Sequence, residues 1–325
     1  MASPASVGGI VTSSDERNML RDTVAALIDR LASPEAVRKA AASERGYDEA
    51  LWTMLCEQVG AAALVVPEEL GGAGGELADA AVVLGELGKA LVPTPLLGTT
   101  LAELALLSLP EPPADLVESL AEGSAIGTVV FDPGYVVNGT VADVVIAADG
   151  ENLTHWRSFT TTAAVAMDIT RPLAALDPTD TVVLGPDPGL ADLAAILLAA
   201  EQVGAASRCL DLTVAYTKDR VQFGRPIGSF QALKHRMADQ YVALESARAI
   251  VDEAVSDPSP VSAARARIAA SEAFTGVAAE AVQMHGGIAI TWESDIQLYF
   301  KRAHGGAQLL GAPREHLRRL ESELF

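Results

Sequence analysis

Leu20, Val24, Leu27, Ile28 and Leu31 recur at the three-to-four-residue spacing of one helix face, behind the capping run Thr12-Ser-Ser-Asp-Glu, until Ser33-Pro34 interrupts them. The same spacing predicts a second helix from Asp48 through Leu51, Trp52 and Leu55 to Val59, closed by Gly60. A third covers 77–91 and stops before Val92-Pro-Thr-Pro95, and a fourth runs from near Thr99 to Pro110. The stretch Pro67-Glu-Glu-Leu-Gly-Gly-Ala-Gly-Gly75 is too rich in glycine for either regular structure and reads as a loop. From Ala125 to Leu184 the pattern shortens to β-branched runs at 127–131, 141–147 and 181–184, separated by Asp-Pro-Gly and Asp-Gly turns. Helical spacing returns after Pro188, over 190–217, 230–255 and 261–284, with Asp257-Pro-Ser-Pro260 as the clear break. The expected fold is mostly α with a small β domain: an N-terminal helical domain at 1–122, a reduced middle β domain at 123–187 and a C-terminal helical bundle at 188–325.

Composition supports helices over an aromatic-rich sandwich, because 50% of the 325 residues are hydrophobic but only 5% aromatic. The net charge of -20 repels phosphate backbones at long range and argues against a nucleic-acid partner. That charge is uneven: residues 1–200 hold 9 Lys/Arg against 28 Asp/Glu, residues 201–325 hold 14 against 15. A phosphate-bearing ligand therefore fits the C-terminal part better, although a solvated helical surface gives the same count. Cys56 and Cys209 lie far apart without metal-ligand spacing, which suits reduced core thiols. The most apolar stretch, 190–205, carries Asp192 and Glu201, and the first residues have no basic segment leading into an apolar one. A cytoplasmic protein with no membrane insertion is expected.

Two segments carry chemistry. In Arg220-Val-Gln222-Phe223-Gly224-Arg-Pro226-Ile227-Gly-Ser-Phe230-Gln231, between two helices, an arginine can fork onto a phosphate, Gln222 can donate and accept, and Phe223 offers an apolar face. Taken alone, it reads better as an ordinary interhelical turn, because Arg, Gln and Phe near a turn are common. In Gln283-Met-His-Gly286-Gly287, paired glycines let a backbone approach a ligand and expose amides to a pyrophosphate; they also serve as a helix C-cap. His155, His235, His285, His304 and His316 show no i,i+4 pair, so no metal site is expected. Gly71-Gly-Ala-Gly-Gly75 lacks a following Gly-Lys-Ser/Thr and is a poor phosphate loop. Arg314, Arg318 and Arg319 form a basic cluster that reads as a solvated helical turn or as a contact for a ligand phosphate.

In this order the segments resemble the acyl-CoA dehydrogenase family, whose pattern runs Arg-x-Gln-Phe-Gly-x-Pro-Ile, Phe-Gln, then Gln-x-x-Gly-Gly-x-Gly. The likeness extends to the Val66-Pro-Glu-Glu-Leu-Gly-Gly-Ala-Gly74 loop and to Leu84-Gly-Glu-Leu-Gly88. It implies that family's fold, with a C-terminal four-helix bundle, and an FAD shared across a subunit interface. By that resemblance Arg220, Gln222, Phe223, Gln231, Gln283, Gly286 and Gly287 contact a neighbour's FAD. It also implies an acyl-CoA substrate and electron-transfer flavoprotein as acceptor.

The family's reaction needs a carboxylate to remove the acyl α-proton. Counting forward from Gly286-Gly287 places Leu310 at the commoner base position, and counting back from Arg220 places Ala194 at the other; neither takes a proton. No Thr-Glu-Pro-Gly-Ala-Gly-Ser-like loop or Trp-(Ile/Ser)-Thr-Asn-like strand is found in the middle domain. The chain accordingly resembles the shorter, non-catalytic subunit of the α2β2 acyl-CoA dehydrogenases of bacterial steroid catabolism, its base expected on a full-length catalytic partner. Two alternatives stay open: a self-sufficient enzyme with a relocated base at Glu201, Asp192 or Glu293, and a flavin-free structural or acyl-CoA-binding protein.

Overall fold

The computed structural model describes residues 14–324, so Thr12 and Ser13 of the expected capping run and the first residues of the chain lie outside the described part. Helix α1 spans Ser14–Leu31 and turns Val24, Leu27 and Ile28 inward, the face its spacing predicts. Ser33-Pro34 does more than stop it: the Ser33 hydroxyl accepts from the Ala36 amide at 3.2 Å and Pro34 occupies the first turn of α2, Pro34–Ala41, a helix absent from the sequence reading. Asp48 caps α3, Glu49–Met54, which widens into one π-helical turn over Leu55–Val59 and ends at left-handed Gly60. Helices α4, Leu77–Lys89, and α5, Leu96–Leu107, follow the loop, and α6, Ala114–Ala121, is a further short helix not anticipated.

A five-stranded mixed sheet comes next, in the order β1-β3-β4-β5-β2. Its strands are β1 Gly127–Val130, β2 Val136–Val137, β3 Val144–Ala148, β4 Asn152–Ala164 and β5 Leu173–Pro186. β1 pairs with β3 in parallel and every other pairing is antiparallel. One face rests on α5, where the Gly127 amide donates to the Thr99 hydroxyl at 3.2 Å. Val130, Val136, Val145, Trp156, Ala174 and Leu176 form a small separate core. The sequence reading missed β4 and saw only 181–184 of β5, because most of the ladder is exposed and buried alternation is confined to Ala174 and Leu176 at the start of β5.

The chain then turns mostly helical: α7 Leu190–Asp219, a two-stranded hairpin of β6 Val221–Gln222 and β7 Arg225–Pro226, α8 Gln231–Ser256, α9 Pro260–His285, α10 Ile296–Gln308 and α11 Pro313–Leu324. Helix α7 is the bundle's centre, packed on α4, α8, α9 and α10, with α11 laid against α9. Among the described residues α7 is the one helix long and apolar enough to cross a membrane, and 78% of its apolar window is buried inside the protein. Its crossing with α4 is made by glycines. A Cβ on Gly204 would stand 2.0 Å from the Gly85 carbonyl oxygen, and one on Gly88 would stand 2.3 Å from the Glu201 carbonyl oxygen. Only glycine lets the two backbones approach this closely, and this approach ties the N-terminal helices to the bundle.

Candidate functional site

Helix α7 ends as the Arg220 amide donates to the Tyr216 carbonyl, 2.9 Å away, and the chain reverses through Phe223 at φ 55° and Gly224 at φ 78°. Two consecutive left-handed residues make the tight turn that matches the twist of a two-stranded ribbon. Glycine adopts that backbone freely; phenylalanine does not, yet Phe223 holds it with 92% of its surface exposed. Its edge meets the Phe230 ring, with centroids 6.1 Å apart, and the Arg225 guanidinium lies 4.0 Å over the same ring. Arg220 and Gln222 are exposed beside it, and Gln231 is exposed in the first turn of α8. The Arg220 side chain has no ion-pair partner among the described residues.

Helix α9 ends beside this hairpin. The His285 ring stacks on Tyr216, 4.1 Å between centroids and 20° between planes, and the Tyr216 hydroxyl donates to the His285 carbonyl at 3.4 Å. Burial lowers the His285 pKa below the ordinary histidine value, outweighing the Ala281 carbonyl at 2.8 Å, so the stacked ring is neutral at physiological pH. Gly286, at φ 65°, caps the helix, and Gln283, Gly286 and Gly287 all face solvent. The structure thus brings the two motif segments to one end of the bundle. Both plain readings of the sequence also hold, since the first segment is a turn and the second a C-cap. An exposed, unpaired guanidinium, exposed amides and an uncovered aromatic ring suit the phosphates and adenine of FAD.

A second feature lies inside the chain. A cavity of about 670 Å³ opens between the sheet and the bundle, with Leu101, Val129, Leu173 and Leu309 among its apolar walls and Asp132, Tyr135 and Glu315 among its polar ones. Leu310, at φ 59°, stands in this wall and offers no titratable group. Ala194 is wholly buried in α7 and does not reach the cavity.

The three carboxylates weighed as replacements are placed elsewhere. Glu201 is buried, its Oε1 accepting from the Arg171 and Arg302 guanidiniums. Asp192 pairs with Arg319 at 2.5 Å, which also gives one arginine of the C-terminal cluster an internal partner. Glu293 is exposed in the segment after the glycine pair and does not line the cavity. Arg302 is held in turn by Asp168 at 2.5 Å and by the Thr170 carbonyl and hydroxyl at 2.9 and 2.7 Å. Burial alone would raise the Asp168 pKa, but Arg302, Arg171 and the Thr170 hydrogen bonds hold its carboxyl below the ordinary range. Asp168, Arg171 and Glu315 escaped the sequence reading altogether, and Asp132 was read only as part of a turn. Cys56 and Cys209 are free thiols, and burial pushes Cys56 up to about 12, so neither is a ready nucleophile. No cluster of three or more potential metal ligands occurs among the described residues.

Comparison with known proteins gives a consistent picture. Residues 14–109 match the acyl-CoA dehydrogenase N-terminal domain and residues 191–320 the acyl-CoA dehydrogenase C-terminal domain. The chain is 70% identical to acyl-CoA dehydrogenase IpdE2 of Mycolicibacterium smegmatis, over 96% of this chain and 100% of that protein. Among solved structures it is similar to the ChsE4-ChsE5 complex from Mycobacterium tuberculosis, with a TM-score of 0.88 and 27% identity over 96% of this chain and 98% of that one. It is equally similar to the Tcur3481-Tcur3483 steroid ACAD, with a TM-score of 0.88 and 27% identity over 95% and 97% of the two chains.

Proposed function

This chain belongs to the acyl-CoA dehydrogenase family, and from that premise we propose that it is the non-catalytic subunit of a heteromeric, FAD-dependent acyl-CoA dehydrogenase. The observation that carries the reading is the end of the bundle where Arg220 has no ion-pair partner among the described residues and Phe223 is 92% exposed; the cavity wall holds Leu310, the residue that counting from the glycine pair sets at the family's commoner base position. Arg220, Gln222, Phe223, Gln231, Gln283, Gly286 and Gly287 hold the adenosine and pyrophosphate end of an FAD whose remainder lies on a full-length catalytic partner. Exposed apolar side chains continue along α8 as Tyr241 and Val242 and past the glycine pair as Ile290 and Trp292, a surface that suits burial against that partner. Bound FAD supplies the hydride acceptor for α,β-dehydrogenation of the acyl group. The partner supplies the carboxylate that takes the α-proton.

The assembly is α2β2 and cytoplasmic, with electron-transfer flavoprotein as its electron acceptor. The substrate is a steroid-derived CoA thioester; the similarity to a protein described as a steroid ACAD supports this class. One observation favours a second reading, a self-sufficient enzyme: Glu315 lines the cavity beside Leu310. Co-purification with a full-length dehydrogenase, followed by subunit ratio, FAD per complex and turnover of steroid-derived CoA thioesters, tests both. Stoichiometric FAD and turnover by the isolated chain, abolished in Glu315→Gln, establishes the second reading. A coloured, active complex whose rate is unchanged by Glu315→Gln supports the first, and a colourless complex refutes both.

A further inference from the structure

The α7 residues Glu201 and Gln202 sit in a polar node inside the bundle. Arg171, Arg267 and Arg302 converge on it, each more than nine-tenths buried, and among the described residues the carboxylates that meet them are Asp168 and Glu201. Three guanidiniums against two carboxylates leave one positive charge uncompensated in the interior, an arrangement that costs several kcal/mol per unpaired ion. Burial and the neighbouring guanidinium of Arg171 lower the Arg267 pKa to about 10, which still leaves it charged at neutral pH.

The unpartnered polar atoms around the node are mostly donors. Arg171 Nη1, Arg267 Nε, Gln202 Nε2 and Asn138 Nδ2 are all buried without a hydrogen-bond partner among the described residues, whereas Gln202 Oε1 already accepts from Arg267 and Ser271. A small cavity of about 20 Å³ adjoins the node, with Thr94, Asn138, Thr170, Arg171, Glu201 and Arg302 as its polar lining. That volume accommodates one water-sized species. Surplus donors call for an acceptor, and surplus positive charge calls for a negative one.

We propose that this cavity is a binding site for a single small monovalent anion of the chloride class, held by Arg171 and Asn138, which neutralises the node joining the linker after β4 to α7, α9 and α10. The site is separate from the residues assigned to FAD and does not depend on that assignment. It makes stability of the fold depend on a halide, because an anion bound only by the folded chain shifts the unfolding equilibrium by mass action.

The test compares the full chain, as purified with any partner it retains, in sodium chloride or bromide and in sodium gluconate at matched ionic strength. The unfolding midpoint rises saturably with either halide by about 2–4 °C, and a bromide-soaked crystal shows an anomalous peak inside the cavity. In Asn138→Asp, which places a carboxylate at the same wall, the halide response disappears and the midpoint in gluconate exceeds that of the unsubstituted chain. Asparagine and aspartate both tolerate the left-handed backbone at 138, φ 55°, so the exchange does not strain the turn. Equal midpoints in the two salts, or a bromide soak that leaves only water in the cavity, overturns the proposal.

Discussion

Replacing Glu103 with methionine should stabilise the chain, and the gain should grow with pH. Glu103 lies on α5 with none of its surface exposed, and neither carboxyl oxygen has a hydrogen-bond partner among the described residues. Burial pushes its pKa well above the ordinary value of 4.5, so the folded chain keeps it protonated where the unfolded chain ionises it. Because the folded pKa is the higher one, the wild-type residue is least costly below about pH 4.5. As pH rises, the unfolded state gains the ionisation free energy and stability falls, until pH passes the folded pKa. Methionine removes both the unsatisfied carboxyl, worth about 1–3 kcal/mol, and this linkage, worth about 1.4 kcal/mol for each pH unit above the unfolded value. Methionine's unbranched chain fills a similar volume. Urea unfolding of both forms at pH 5, 6 and 7 measures the gap. A gap that is constant across that range, or a destabilised variant, would show that Glu103 is ionised or paired in the folded chain and refute the reasoning.

Three further outcomes are expected. Arg220→Ala in the complex should weaken FAD binding by about 10- to 150-fold, the equivalent of one charge-assisted contact of about 1.5–3 kcal/mol, with Arg220→Lys retaining part of it; flavin fluorescence titration reads both, and unchanged affinity removes Arg220 from the site. Glu201→Leu should cost about 3–5 kcal/mol in urea unfolding, because it strands the buried Arg171 guanidinium and takes one of two carboxylates from Arg302. Gly204→Ala drives a methyl into the Gly85 carbonyl and should lower stability by about 1–3 kcal/mol or more, read as a fall in the thermal midpoint; a neutral result would mean that α4 and α7 separate easily.

How much of this was legible in the sequence depended on whether a signal was local. The helices α1, α7, α8 and α9 announce themselves by spacing, and the two motif segments at 220–231 and 283–287 by consecutive residues. Helix α2 was hidden because Ser33-Pro34 is both a stop and a start. Strand β4 was hidden because its residues are mostly exposed and carry no buried alternation. The polar node assembles Asp168, Arg171, Glu201, Arg267 and Arg302 from segments up to 134 residues apart, and nothing in any one segment marks it. Glu201 illustrates the difficulty: from sequence it is a spare carboxylate, and only three-dimensional packing shows that two arginines have claimed it. Leu310, by contrast, is reached by counting along the chain from a motif, and it lines the cavity.

The stacked pair of Tyr216 and His285 has a consequence for recognition. It fastens the last turn of α7, from which the β6–β7 hairpin springs, to the last turn of α9, so the spacing between the Arg220 turn and the glycine pair is set before anything docks there. Whatever binds this end meets a rigid template and loses little conformational entropy in ordering it. Unstacking the pair, for example by Tyr216→Ala, leaves every residue of the two segments in the chain yet should let them drift apart, turning a single pre-shaped surface into two independent and individually weak ones.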